Sequence, residues 1–559
     1  MYHAPPFAQS AQLGTVLALL VVGASGASGD VIGPFPSWLV HGAIASHFGE
    51  SVCGVGDVNN DGFDDVVVGA IYHTNGEIEE GGAWLYLGSP AGADTTAAWH
   101  AEGDADNAIM GLDVSAAGDV NRDGFDDVVI GLPGRAQARL YLGSVGGLPA
   151  TPDWIATGRG FFGRAAGSAG DVNGDGFADV LVGAMLDGSD LQMEGRVFLY
   201  LGTPGGLAPA PAWVMEGNQE VCLFGCAAAG AGDVNGDGFD DVIIGAPNYD
   251  HGEIDEGRAF VFHGSPSGLE TTPAWTAESD QADTYFGFSA AGAGDVNGDG
   301  YHDVIVGATW WSQGVNPDDG AALVFLGSPA GLSPTPVWTT YGDHSELGFC
   351  VAGAGDVDRD GYADVLVGVP HFRSDQPYEG AALLFRGSLA GPAANPDWIG
   401  ELDLTEAHLG QAVAGAGDVN GDGHPDVILG APYSHCPDLP PCGPIPAFAA
   451  IYHAVATTGI HLGEAPRFSQ LRLEAPWPNP IASSATIPFS LSRAGSVRLT
   501  VTDVVGREVA IIDNGFRASG RHIVTWNPST GPRRLRSGVY FLSLSGMGDT
   551  AVRRLVIVR

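Results

Sequence analysis

The sequence predicts an all-β protein, a seven-bladed β-propeller of four-stranded blades followed by a small Ig-like β-sandwich. Three observations carry that expectation. A nine-residue loop of the form D-x-[DN]-x-D-G-x-x-D occurs seven times, beginning at Asp57, Asp119, Asp171, Asp233, Asp295, Asp356 and Asp418. The copies are 52 to 62 residues apart, a period that marks stacked copies of one supersecondary unit. The third is an abrupt change of composition near residue 466. The segment from 467 onward holds 13 Arg against 5 acidic residues, in a chain whose formal net charge is −43.

Each unit reads the same way in order. Nine residues before the loop stands an apolar residue followed by Gly, as at Phe48-Gly49, Met110-Gly111, Phe162-Gly163, Phe224-Gly225, Phe286-Gly287, Leu347-Gly348 and Leu409-Gly410. The loop runs into a short apolar stretch such as Asp65 to Ala70, which reads as a buried strand ending in Gly-Ala-Pro or a variant. A second apolar strand follows, such as Trp84 to Leu87, and then a segment around a single Trp. Four short strands with Gly-rich turns make a propeller blade.

The tryptophans predict how the ring closes. Those of this blade-end type fall at 38, 99, 154, 213, 275, 338 and 398, so the first precedes the first loop and the seventh unit has none after its loop. The N-terminal segment is therefore expected to supply the outer strand of the last blade, removing a seam.

The loops carry a cation-binding grammar. Positions 1, 3, 5 and 9 offer side-chain oxygens, and Gly at position 6 permits a sharp bend that exposes the carbonyl of residue 7. The predicted ligand sets are Asp57, Asn59, Asp61, Phe63 and Asp65; Asp119, Asn121, Asp123, Phe125 and Asp127; Asp171, Asn173, Asp175, Phe177 and Asp179; Asp233, Asn235, Asp237, Phe239 and Asp241; Asp295, Asn297, Asp299, Tyr301 and Asp303; Asp356, Asp358, Asp360, Tyr362 and Asp364; and Asp418, Asn420, Asp422, His424 and Asp426. An EF-hand would need a bidentate Glu at position 12, where the first copy has Val68. The donors include neither thiolate nor a repeated imidazole, which disfavours Zn²⁺. Mg²⁺ prefers fewer protein ligands and more water. Up to seven structural Ca²⁺ ions are expected.

The combination of Phe-Gly, the acidic loop and Gly-Ala-Pro resembles the FG-GAP repeat of the integrin α-subunit N-terminal propeller, over residues 31–462. That resemblance implies the fold and calcium, with an adhesion or recognition role toward a protein or glycan. In that family four or fewer repeats usually carry calcium, whereas here all seven loops are complete. In the segment 466–559, Trp477 to Pro480, Thr502 to Val509, Ser537 to Leu542 and the terminal Arg-Arg-Leu-Val-Ile-Val-Arg look like the FlgD-like Ig module. That module is the C-terminal sorting domain of bacterial type IX secretion cargo. It implies dealings with the secretion machinery and a secreted or outer-membrane-associated product.

The remaining features set expectations about compartment and partners. Leu13 to Val22 followed by small residues to Gly29 resembles a signal peptide over 1–29, too short to span a bilayer. Cys222 with Cys226, and Cys436 with Cys442, are disulfide candidates, while Cys53 and Cys350 are expected to be free buried thiols. The acidic balance argues against nucleic acid as a partner. A monomer is expected. Tyr72, Tyr249, Trp310, Trp311, Phe372 and Tyr433 lie in loops on the face opposite the acidic loops, and are the candidate ligand face. No HExxH, G-x-S-x-G or Walker pattern occurs, so a binding role is expected rather than catalysis. The alternative is a secreted hydrolase or lyase acting on polysaccharide or peptide at the loop face.

Overall fold

The computed structural model describes residues 32–33, 35–43, 45–188, 191–312, 319–373, 377–402, 404–433 and 447–454, and in the C-terminal module 471–473, 485–491, 495–502, 507–517, 520–528, 535, 538–546 and 549–557. The signal-peptide candidate and the pair Cys436 and Cys442 lie outside them.

Seven antiparallel four-stranded sheets follow one another along the chain. In blade 1 the strands are Phe48–Gly56, Asp65–Ala70, Gly82–Tyr86 and Trp99–Glu102, paired in that order. The innermost strands of consecutive blades touch, and Phe48–Gly56 contacts both Val114–Gly118 of blade 2 and Ala412–Gly417 of blade 7. The ring is closed. As the tryptophan positions predict, Trp38–His41 pairs with Phe448–Tyr452, with Trp38 opposite Ile451.

Every second strand begins at the ninth loop residue and is buried throughout, from Asp65–Ala70 to Asp426–Ala431. These unbroken apolar runs suit strands covered on both faces by neighbouring blades. The glycine near the end of each has a steric cause. A Cβ on Gly245 would stand 1.9 Å from the carbonyl oxygen of Gly287 in the next blade. The same clash recurs from Gly69 to Gly111 at 2.1 Å and, across the closure, from Gly430 to Gly49 at 2.0 Å. The Phe-Gly and Gly-Ala-Pro signatures are thus two halves of one blade-to-blade contact.

The tryptophans make a second contact around the rim. Each indole packs edge-on against an aromatic ring of the following blade, from Trp38 on Tyr86 at 5.0 Å to Trp398 on Tyr452 at 4.9 Å. Each also donates its Nε1–H to a carbonyl of that blade, for example Trp99 to Pro149 at 2.7 Å and Trp338 to Ala393 at 2.8 Å. A buried indole needs a partner for its N–H, and an edge-to-face pair adds about 0.5–1.5 kcal/mol beyond area burial.

The C-terminal module has a three-stranded sheet (Leu471–Leu473, Ala485–Leu491, Gly520–Trp526) and a four-stranded one (Glu508–Arg517, Gly495–Thr502, Gly538–Gly546, Asp549–Ile557). Ile487 and Phe489 of the first share a buried core with Leu499, Val501, Leu542 and Leu544 of the second, as a sandwich requires. Among the described residues no helix is long and apolar enough to cross a membrane.

Candidate functional site

Each acidic loop joins the first and second strands of its blade, so all seven stand on one face of the ring. Gly at position 6 is left-handed in every copy, with φ between 89° and 95°. In the first loop Asp57 accepts the N–H groups of Asp61 and Gly62 through its two oxygens, at 3.0 and 2.7 Å. Asn59 Oδ1 accepts Asp61 N–H at 2.9 Å, and Asp61 Oδ1 accepts Phe63 N–H at 3.1 Å. This weave turns the side chains at positions 1, 3 and 5 inward, and it repeats around the ring, as in the third loop at Asp171, Asn173 and Asp175.

Position 9 is the buried member. Asp65 is fully buried, taking Val58 N–H on one oxygen at 3.1 Å and Gly88 N–H on the other at 2.8 Å. It therefore anchors the loop to two strands and keeps further lone pairs on the same oxygens. Burial pushes its pKa up to about 7, against the pull of those two N–H groups and with the push of Asp61 and Asp57. The equivalent residues Asp127, Asp179, Asp241 and Asp303 are likewise raised to about 7, and Asp364 and Asp426 to about 8. A buried carboxylate beside two others lacks positive charge, and a hard divalent ion with oxygen preference is what such a donor set fits. In the sixth loop one oxygen each of Asp356, Asp358 and Asp364 lie within 4.8 Å of one another.

The loops are bonded to each other. The position-8 N–H donates to the position-1 carbonyl of the preceding loop, from Asp64 to Asp418 at 3.2 Å through Ala363 to Asp295 at 2.9 Å. Six of the seven junctions carry this bond; Pro425 has no N–H to give at the seventh. Side chains add to it where they can. Asp126 accepts Asp57 N–H at 3.0 Å, Asp240 accepts Asp171 N–H at 2.8 Å, and the His302 ring accepts Asp233 N–H at 3.1 Å.

The FG-GAP repeat family matches residues 48–82, 227–262, 286–325, 351–385 and 409–438, and an FG-GAP-like repeat matches 119–182. The secretion system C-terminal sorting domain family matches residues 476–558. The chain is an FG-GAP repeat β-propeller protein with a C-terminal sorting domain. It is 34% identical over 249 residues to integrin alpha-5 of Xenopus laevis, 32% over 230 to integrin alpha pat-2 of Caenorhabditis briggsae, and 36% over 168 to integrin alpha-IIb of Mus musculus. Those alignments cover 41, 37 and 28% of this chain but only 22, 18 and 16% of the relatives, so the likeness is to a part of each. The sorting domain marks the FG-GAP protein for secretion and the cell surface.

On the face opposite the loops, the six candidate aromatics of the FG-GAP protein are unequally exposed. Tyr72, Trp310 and Tyr433 are exposed, at 38, 45 and 37%. Tyr249, Trp311 and Phe372 instead pack against the buried clusters of their blades. Tyr249 is held there between Phe260 at 5.6 Å and the Arg258 guanidinium at 5.3 Å.

Sequence reading missed the residues that organise this face. The residue directly before each apolar-Gly pair is left-handed in all seven blades: His47, Ile109, Phe161, Leu223, Tyr285, Glu346 and His408, with φ from 50° to 66°. All seven are half-buried. Non-glycine residues adopt this conformation at a cost and cluster at functional sites. His47 stacks edge-on between Tyr72 at 4.6 Å and Tyr433 at 4.8 Å. Tyr433 touches His408 at 4.9 Å, and His408 touches His371 at 5.0 Å. One strip of imidazoles and phenols thereby crosses blades 1, 7 and 6, edged by Glu50 beside His47 and Glu346 beside His371. Tyr285 and Trp310 form a separate pair at 4.6 Å. The recurrence was visible at a fixed offset before Phe-Gly, but the residue types there are too varied to signal it.

A second missed recurrence is an acid-Gly pair opening the third strand, at Glu80, Glu194, Glu256, Asp319 and Glu379, all nearly fully buried. Its backbone carbonyl accepts the N–H of the following blade's apolar residue, as Glu80 does from Met110 at 3.0 Å. Its side chain folds the face loop, as Glu80 does by accepting Asn75 N–H at 2.7 Å.

The cysteines are also partly corrected. Cys222 and Cys226 are free thiols, not a disulfide. Cys222 donates its S–H to the Glu194 carbonyl at 3.0 Å and is buried beside Phe224, while Cys226 lies beyond the Phe224-Gly225 turn. Burial pushes the Cys222 thiol up to about 11, as it does Cys53. Cys53 and Cys350 are free as expected, though half-buried rather than buried.

Proposed function

We propose that this protein is a calcium-loaded propeller, displayed at a cell surface, that recognises a protein or glycan through the face opposite its acidic loops. Six donor sets of one design and a four-carboxylate variant in loop six, each with a buried position-9 carboxylate, support the calcium assignment. Positions 1, 3, 5 and 9 supply side-chain oxygens and position 7 a carbonyl; the ion, when bound, offsets the mutual repulsion of the carboxylates. Each chain residue then acts by geometry alone, holding its loop closed and bonded to the next.

The recognition role rests on one observation. The strip sets the exposed rings of Tyr72 and Tyr433 beside the half-buried imidazoles of His47, His408 and His371, on a backbone held left-handed at His47 and His408. Clustered aromatic surface with a few placed polar groups is what binding faces use. A binding rather than catalytic role is the reading adopted here, and the integrin relatives agree with a protein ligand.

The test is a protein and glycan array probed with the calcium-loaded full-length chain. Saturable binding that falls at least about tenfold in a Tyr72→Ala, Tyr433→Ala double variant is the expected result. Binding unchanged in that variant, or turnover of an arrayed compound, would replace this reading.

A further inference from the structure

Loop six departs from the other loops at two positions that meet in space. Position 3 is Asp358, where the other six have Asn59, Asn121, Asn173, Asn235, Asn297 and Asn420. The residue directly after the third strand is Arg386, where the other blades have Leu87, Leu142, Leu201, His263, Leu326 and His453. Arg386 Nη1 donates to Asp358 Oδ2 at 2.9 Å, and Nη2 donates to Asp397 Oδ1 at 2.8 Å. The side chains are 23% exposed for Arg386, 3% for Asp358 and 9% for Asp397, so this bridge is well shielded from solvent.

The contrast with the other loops is chemical. In loops one to five the position-3 amide donates to the position-5 carboxylate, as Asn59 Nδ2 does to Asp61 Oδ2 at 3.0 Å, and leaves its oxygen facing the loop. In loop six the position-3 oxygen Oδ2 is taken by a guanidinium that a second carboxylate holds in place. The other oxygen, Oδ1, accepts Asp360 N–H at 3.2 Å. A divalent ion entering this loop meets a fixed positive charge on one of its own ligands, and Arg cannot release that charge by losing a proton.

We propose that Arg386 offsets only the charge that Asp358 adds but holds one of its oxygens, so that loop six takes calcium more weakly than the other six loops. The Arg386 bridge between Asp358 and Asp397 is then a calcium-independent clip in the belt, next to the one junction where Pro425 supplies no N–H. The inference rests on the calcium reading above, and the experiment separates the two.

Full-length protein stripped with chelator is titrated with calcium by calorimetry, and bound calcium is counted by equilibrium dialysis with elemental analysis. Six ions are expected in the tight class, with any seventh weaker by at least about tenfold. Arg386→Leu should raise the tight count by one. If that variant fails to fold, the double variant Asp358→Asn, Arg386→Leu, which writes the sequence of loops one, two, three and five into loop six, gives the same readout. The converse pair Asn59→Asp, Leu87→Arg should remove one tight site. Seven equivalent ions in the parent chain, or a count unmoved by the loop-six variants, overturns the proposal. No bound calcium at all overturns the calcium reading instead.

Discussion

The carboxylate of Asp64 accepts the backbone N–H of Asp418 at 2.7 Å, bonding the first acidic loop to the last across 354 residues of chain. Burial is the main cause that raises the Asp64 pKa, opposed by this same N–H and reinforced by Asp418 and Asp57. The bond therefore sits where the ring closes, beside two candidate ion sites. Asp64→Ala should lower the stability of the calcium-loaded propeller by about 1.5–3 kcal/mol, the range for a hydrogen bond to a charged group. Asp64→Asn, which keeps an acceptor, should lose less. Chemical denaturation of the three proteins decides it, and equal midpoints would show that the closure relies on other contacts.

Removing calcium should soften the whole ring. At a dissociation constant of about 10⁻⁴ to 10⁻³ M, millimolar calcium adds roughly 0.6–1.8 kcal/mol per independent site. Because the loops are bonded in series, chelator should lower the melting temperature in one cooperative step rather than melt separate blades. Differential scanning calorimetry with and without chelator reads this directly. A melting temperature that ignores chelator would count against structural calcium.

Gly245 tests the blade-to-blade contact. Its Cβ would stand 1.9 Å from Gly287 O, a backbone atom that cannot swing away. Gly245→Ala should cost about 3 kcal/mol, at the upper end for overpacking. Gly62→Ala makes a useful comparison, since Gly62 has nothing within 4 Å of an added Cβ and suffers only from its φ of 92°. Its cost should be smaller, about 1–2 kcal/mol for a strained backbone. Thermal melts that reverse this order would undo the steric account of the Gly-Ala-Pro signature.

Acidity should act at His408. Burial, and then the neighbouring His371, lower its pKa to about 4, with Glu346 pulling the other way. Tyr433, Tyr378 and His371 are the rings that face it. A histidine depressed below its unfolded value near 6.5 binds its proton more readily in the unfolded chain, so its contribution is present above that value. It is lost as pH falls through about 6.5 toward 4. His408→Gln should flatten the fall in stability over that window while leaving pH 8 nearly unchanged. A parallel pH profile for the two proteins would assign the acid sensitivity elsewhere.

The fold was legible because its signals are repeated and local. One buried second strand, one Gly-Gly clash and one indole bond recur in seven copies, and the displaced Trp38 told where the seam lies. The acidic loops were legible for the same reason. Arg386 was not, because its partner Asp358 lies 28 residues away and only pairing within blade 6 brings the two together. The face opposite was read worst. Whether Tyr249 points inward or Tyr72 outward depends on how each loop folds over its own sheet, and His47 and His408 carry a backbone conformation that their side chains do not announce.

Among the described residues the strand Trp38–His41 pairs only with Phe448–Tyr452. This early piece of the ring must therefore wait, unpaired, for the last. Until residue 452 is available, six finished sectors would end in two raw edges. Completion of the circle is an all-or-nothing event for the chain, and a truncation that spares every acidic loop but removes either terminal strand should still leave a sticky, unsealed arc.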